Sequence, residues 1–216
     1  MDWSVVTDNA PLLWDATQTT ILISATTIVL SVVLAFPLAL LHDCQFAVLR
    51  WLAAAYSWLT RAFPALTLLF LAYYGLPQIG LYLDPLPAAI LGLTVSAAGY
   101  NMEYIRAGLR SVPASQFDAA RALGMPIGLT LRRVIIPQAM RVILPPLTSN
   151  LTLLLKGSSL ASLVAVTELT GQAMALISYT YRPVEILIVV GVIYLALNGI
   201  VIAIQGLVAR RFERPA

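Results

Sequence analysis

The chain has one cysteine, one histidine and one lysine, and each scarcity removes a class of function. Cys44 alone cannot form an internal disulfide. His42 stands two residues away with no second histidine to complete a metal set, and reads as a solvated loop residue. Any Ser-His-Asp nucleophile would have to draw on this one loop histidine. Lys156 follows no glycine-rich phosphate-binding loop, so any nucleotide chemistry belongs to another polypeptide. An enzyme is therefore not expected. Charge is scarce as well. Only 11% of residues are charged, against about 25% in soluble domains. With 60% hydrophobic residues and a mean hydropathy of +0.87, the composition is that of an all-α, polytopic membrane protein surrounded by lipid.

A bilayer core needs about 20 mostly apolar residues per helix. Five segments qualify, at about 17–41, 51–75, 86–109, 142–165 and 184–208; Lys156 and a run of serines interrupt the fourth. With the N-terminus outside, ten arginines fall on inner segments: Arg50, Arg106, Arg110, Arg121, Arg132, Arg133, Arg141, Arg210, Arg211 and Arg214. Outer segments hold only Arg182, beside Asp2, Asp8, Asp15, Asp84, Glu168 and Glu185. The positive-inside rule then puts the N-terminus outside and the C-terminus in the cytoplasm. The net charge of +3 reports this topology and not nucleic-acid binding. The acidic N-terminal stretch lacks the basic start of a cleaved signal peptide and is read as part of the mature protein. Trp3, Trp14, Trp51 and Trp58 lie near span ends, as interfacial anchors do. Pro37 and Pro64 fall inside spans and should kink them. No repeat or second domain is visible, so residues 1–216 form one membrane domain.

One cytoplasmic loop, 111–138, breaks the apolar pattern with SVPASQFDAARALGMPIGLTLRRVIIPQ. Ser115 is placed to N-cap a short helix, with Asp118 three residues on in a capping-box position. Gly124 can adopt the left-handed turn that ends it, and Pro126 blocks continuation. Ala119, Ala120 and Ala122 give that helix almost no bulk. A second piece, LTLRRVII, is expected to stop at Pro137. A slim helix of this kind is either a connector resting on the bilayer or a docking element that enters a groove on a soluble partner.

DAARALG, with Pro137 thirteen residues after Gly124, resembles the EAA loop of inner-membrane permease subunits of bacterial ABC importers. Asp118-Ala119-Ala120 stands for EAA, Gly124 for the glycine, and Ile135-Ile136-Pro137 for the ending. The resemblance spans nearly the whole chain. RAFPALTLLFLAYYGLPQIG, SAAGYNMEYIRAGLRSVP, PQAMRVILPPL and LLKGSSLASLVAVTEL are similar to the polar amino acid branch. That branch tends to have RGTP where this chain has Arg61-Ala62-Phe63-Pro64, and KDTSL where it has Lys156-Gly157-Ser158-Ser159-Leu160. The resemblance implies a permease that moves polar amino acids or a related zwitterion across the inner membrane. Asp118, Ala119, Ala120, Gly124 and Pro137 would couple it to a cytoplasmic ATPase dimer. It also implies pairing with a second, identical or homologous permease and a periplasmic or surface-anchored solute-binding protein. This chain would bind no cofactor itself, and ATP would be used by the partner.

Ionisable groups inside a bilayer cost about 2.5–3.5 kcal/mol each on insertion scales, so they need partners or water. Arg61 lies ten residues into the second segment, about 15 Å along a helix. Lys156 is similarly deep in the fourth, and Glu103 lies toward the inner end of the third. Glu103 could pair with Arg61 or Lys156 to hold the bundle together. Alternatively these charges, with Ser96, Ser158 and Ser159, line a polar path for a zwitterion. The rival classes are an ion-coupled secondary transporter using Glu103 without an ATPase, and a membrane scaffold that recruits a soluble protein through the same loop.

Overall fold

In a hydrocarbon solvent every backbone N–H and C=O must find its partner within the protein, and helices satisfy them locally. The computed structural model describes residues 3–213, with side chains through 210, and every regular element among them is helical. Asp2 and Arg214 lie outside the described residues, as does the Arg211 side chain.

A short helix, α1 (Ser4–Asp8), leads into the long α2 (Ala10–His42). Pro37 lies within α2, and the helix runs through it. The second expected span is broken. α3 (Ala47–Ala62) ends at Phe63-Pro64, and α4 (Ala65–Phe70) continues through a π turn and a 3-10 turn to Ile79 at an angle of 107° to it. Pro64 was expected to kink one helix; instead the chain passes through extended backbone at both Phe63 and Pro64. Proline disfavours the helical conformation at the residue before it and supplies no N–H, so this is where the helix breaks and a new one starts.

α5 (Pro85–Ser111) is the centre of the bundle, with α2, α3, α4 and α8 packed on it. After it come α6 (Ala114–Ala122), α7 (Ile127–Thr130) and α8 (Ile136–Gly157), the last two joined by a π turn at Leu131–Ile135. Pro137 does not stop this segment. It sits in the first turn of α8, where its missing N–H costs least, and the preceding π turn takes up the change. A 3-10 stretch, Ser158–Val164, ends at Ala165 with φ 59°, and α9 (Leu169–Thr180) departs at 51°. α10 (Pro183–Glu213) closes the chain. Among the described residues two helices, α2 and α10, are long and apolar enough to cross a membrane alone, and each bent pair qualifies when taken together. α5 has the length, about 40 Å for 27 residues, but carries Glu103, Arg106 and Arg110.

Lipid tails are as apolar as leucine, so helix association here rests on close packing and interhelical hydrogen bonds. α5 supplies both. A methyl group at Gly92 would lie 2.6 Å from the Leu69 Cα, so α4 approaches backbone to backbone. Gly99 receives the Thr60 side chain, and Gly108 receives Ile143 with the Ala139 carbonyl. Between these contacts a buried chain of hydrogen bonds ties three helices. The Asn150 amide donates to Asn101 Oδ1 at 2.8 Å, and the Asn101 amide donates to Ser31 Oγ at 2.9 Å. Large apolar side chains cover the outside, and Trp3, Trp14, Trp51 and Trp58 are all exposed there.

Candidate functional site

The DAARALG helix forms as expected but begins two residues early. Its N-cap is Pro113, with no side-chain cap bond, so Ser115 lies in the first turn and Asp118 mid-helix. The expected capping box is therefore not formed. Gly124 takes φ 69°, the left-handed region where a Cβ is strained, and its N–H bonds the Arg121 carbonyl. Ala120 is only 3% exposed and packs within this chain. Asp118, Ala119 and Ala122 face outward, and Leu123 and Ile127 protrude at 80% and 67% exposure. The helix is braced to α8 by Gln138, whose amide donates to Gln116 Oε1 at 3.2 Å. This is a rigid arm with a slim polar face and an apolar tip.

Above it, charges form a continuous series. Ser57 Oγ donates to Glu103 Oε1 at 2.7 Å, and Arg106 Nη1 donates to Glu103 Oε2 at 3.1 Å. Arg61 Nη2 lies 3.9 Å from Glu103 Oε1, so the expected Glu103–Arg61 pair is present at long range. Arg61 sits in the last turn of α3, beside the Pro64 break, not mid-way along a straight span. The series continues from Arg106 to Asp43 at 2.9 Å and from Arg110 to Asp43 at 2.7 Å, tying the α2–α3 loop to α5. Partial burial pushes the Asp43 carboxyl up, but the hydrogen bonds from Arg110 and Arg106 outweigh it and hold it below its ordinary value. His42 is the last residue of α2 and partly buried, with Nδ1 3.4 Å from Asp43 Oδ1; it is not a solvated loop residue.

Lys156 does not join this series. It is exposed on α8 and lines a cleft of about 600 Å³ against α10, with Thr152, Tyr194, Asn198 and Gln205. Asn198 Oδ1 is buried without a hydrogen-bond partner. The alternative pairing of Glu103 with Lys156 is thus not formed. Ser158 is fully buried and donates to the Leu155 carbonyl, while Ser159 donates to that of Lys156. Ser96 and Glu103 part company as well. Ser96 lines a second cavity of about 270 Å³ with Tyr100, Tyr104 and Asn150, whereas Glu103 turns toward α3.

Sequence reasoning left Glu168 among the outer charges, yet it is wholly buried. It N-caps α9, accepting from the Thr170 and Gly171 N–H groups at 3.0 and 2.8 Å, and receives the Tyr194 hydroxyl at 3.1 Å. It thereby holds Tyr194 at the wall of the Lys156 cleft. The helix start at Leu169 was the only local signal. Nothing local points to Asn101, Asn150 or Asn198, which matter through partners on other helices.

Known proteins resemble this chain in sequence and in fold. A nopaline transport system permease protein of Agrobacterium fabrum is 36% identical over 93% of this chain and 88% of its own length. An octopine transport system permease protein of Rhizobium meliloti is 43% identical over 80% of this chain and 74% of its own. A probable glutamine ABC transporter permease of Bacillus subtilis is 34% identical over 92% of each. A solved amino acid ABC transporter with histidines superposes with a TM-score of 0.89 at 31% identity, covering 98% of this chain and 99% of that one. The inward-facing MetNI methionine ABC transporter has the same fold, with a TM-score of 0.80 at 22% identity over 96% of this chain and 99% of that one. Residues 32–214 match the family described as binding-protein-dependent transport system inner membrane component, and the chain belongs to that family of ABC importer permease subunits.

Proposed function

We propose that this permease carries polar amino acids or a related zwitterion, such as an opine, inward across the membrane. It works with a second permease, identical or homologous, and with two cytoplasmic ATPase subunits that bind and use the ATP. A solute-binding protein delivers the solute from the outer side. The N-terminus faces outward, and the α6 side faces the cytoplasm. This chain holds no cofactor of its own, and its contact with the bilayer is through its exposed apolar side chains.

The observation that carries the reading is the similarity, over nearly the full chain, to permeases named for opines and amino acids. The geometry agrees with it. Asp118 and Ala119 offer a narrow surface with Leu123 and Ile127 at its tip, suited to a groove in an ATPase. Gly124 and Pro137 set the turn below that surface and the helix start above it. Ala120 contributes by packing inward, which stiffens the arm. ATPase closure would then move α6 and, through Gln138 and the shared packing, α8. α8 carries Lys156, so motion at the cytoplasmic end reaches the cleft where a carboxylate can meet an ammonium. Arg61, Glu103 and Ser96 offer charge and a hydroxyl on the neighbouring α3 and α5 surfaces. Ser158 and Ser159 shape the segment that holds Lys156.

The test is uptake into proteoliposomes containing this permease, its ATPase and its binding protein. Labelled glutamine, arginine, octopine and nopaline would be offered with and without ATP. ATP-dependent accumulation of at least one is the expected result. Accumulation driven by an ion gradient without ATP would replace this reading with secondary transport.

A further inference from the structure

A wholly apolar groove of about 180 Å³ opens between α2, α5 and α8 near their α6 ends. Val32, Phe36, Ile105, Leu109, Met140 and Leu147 line it, and no polar surface contributes. Ile136, the first residue of α8, also lines it. One helical turn beyond Ile136, the π turn carries Arg132 and Arg133, both exposed and neither in an ion pair among the described residues. We infer that this is a binding site for an anionic phospholipid of the cytoplasmic leaflet. One acyl chain occupies the groove, and the headgroup phosphate meets Arg132 and Arg133. The inference rests on the orientation proposed above, with the α6 side cytoplasmic.

The chemistry selects this occupant. The groove lies on helices that cross the hydrocarbon, so a soluble partner does not reach it, whereas an acyl chain fills it at no desolvation cost. The arginines sit where chain gives way to headgroup, and a guanidinium binds phosphate through paired, charge-assisted hydrogen bonds. Basic residues at this level attract anionic lipids in particular. A second copy of this chain fits less well. A two-fold contact would bring the same arginines toward each other, and no acidic side chain lines the groove to offset them.

The experiment is native mass spectrometry of the permease–ATPase complex after exposure to equal amounts of phosphatidylglycerol and phosphatidylcholine. Wild type should retain phosphatidylglycerol preferentially by roughly ten-fold or more, the scale of two basic contacts at a membrane surface. Arg132→Gln/Arg133→Gln should bring that ratio near one, and the double lysine variant should keep most of it. Met140→Trp, which fills the groove, should lower retention of both lipids. Arg50→Gln, at a cytoplasmic arginine outside the groove, should leave the ratio unchanged. An unchanged ratio in the double glutamine variant would overturn the site, and unchanged retention in Met140→Trp would overturn the groove. Displacement by soluble glycerol phosphate at equal concentration would mean a phosphate site without a lipid. Failure of the transporter to move solute bears on the function proposed above and leaves this readout intact.

Discussion

Glu103 and Lys156 both bring charge into the bundle, but their surroundings differ in kind. Glu103 has a hydroxyl and two guanidinium groups around it. Lys156 faces an open cleft, with an unsatisfied Asn198 carbonyl oxygen among the lining residues. A charge inside a membrane protein needs compensation, and the two sites obtain it by different routes. Glu103 obtains it from its own chain and in doing so binds α3, α5 and the α2–α3 loop together. Lys156 is left to water or to a ligand. The first is chiefly a structural charge; the second is the better candidate for meeting solute.

The largest expected effect separates the two roles. Lys156→Met should lower ATP-driven uptake at least ten-fold while the complex assembles normally in detergent; wild-type uptake with this variant would remove Lys156 from the path. Glu103→Leu should act on stability instead. It removes the carboxylate beside Arg61 and leaves Arg106 with Asp43 alone, and should cost about 2–3 kcal/mol, below the roughly 3–5 kcal/mol of a fully enclosed pair because Arg61 is 42% exposed and Arg106 keeps one partner. A thermal midpoint several degrees lower in the purified complex checks this. Arg61→Ala removes only the 3.9 Å member and should cost under about 1 kcal/mol in the same assay.

The smallest effect concerns pH. Asp43 has a lowered pKa in the fold, so its contribution is present above the ordinary carboxylate value near about 3.9 and is lost as pH falls through the lowered one. Thermal midpoints of wild type and Asp43→Asn should therefore remain apart from pH 8 to pH 5. They should converge only in stronger acid. Convergence near neutrality would mean that the loop clamp depends on another group.

These contrasts also mark what could be read from the residues alone. Long apolar runs and Gly124 were legible because hydropathy and a left-handed turn are local properties. The charge pairing was half legible: Glu103 did meet Arg61. That Lys156 would turn away to α10 was not, since it depends on how α10 packs against α8. The early start of α6 escaped because a serine and an aspartate at capping spacing describe a possible cap, while Pro113, as N-cap, started the helix ahead of it. Pro64 announced a kink, but the 107° bend depends on α4 docking against Gly92. Glu168 is buried through Thr20, 148 residues away, which no local pattern encodes.

The central claim is that α6 is the arm through which a separate ATPase drives this permease. The most direct measurement is co-purification of the ATPase with tagged wild type and with Ala119→Arg in mild detergent, using size-exclusion profiles to confirm that both permeases are folded. Ala119 is the chosen position because it is exposed, whereas an arginine at the buried Ala120 would disturb the arm itself. The account predicts that the ATPase comes with wild type and is lost from the folded Ala119→Arg variant. An ATPase retained by the variant, or absent from well-folded wild type, would contradict it.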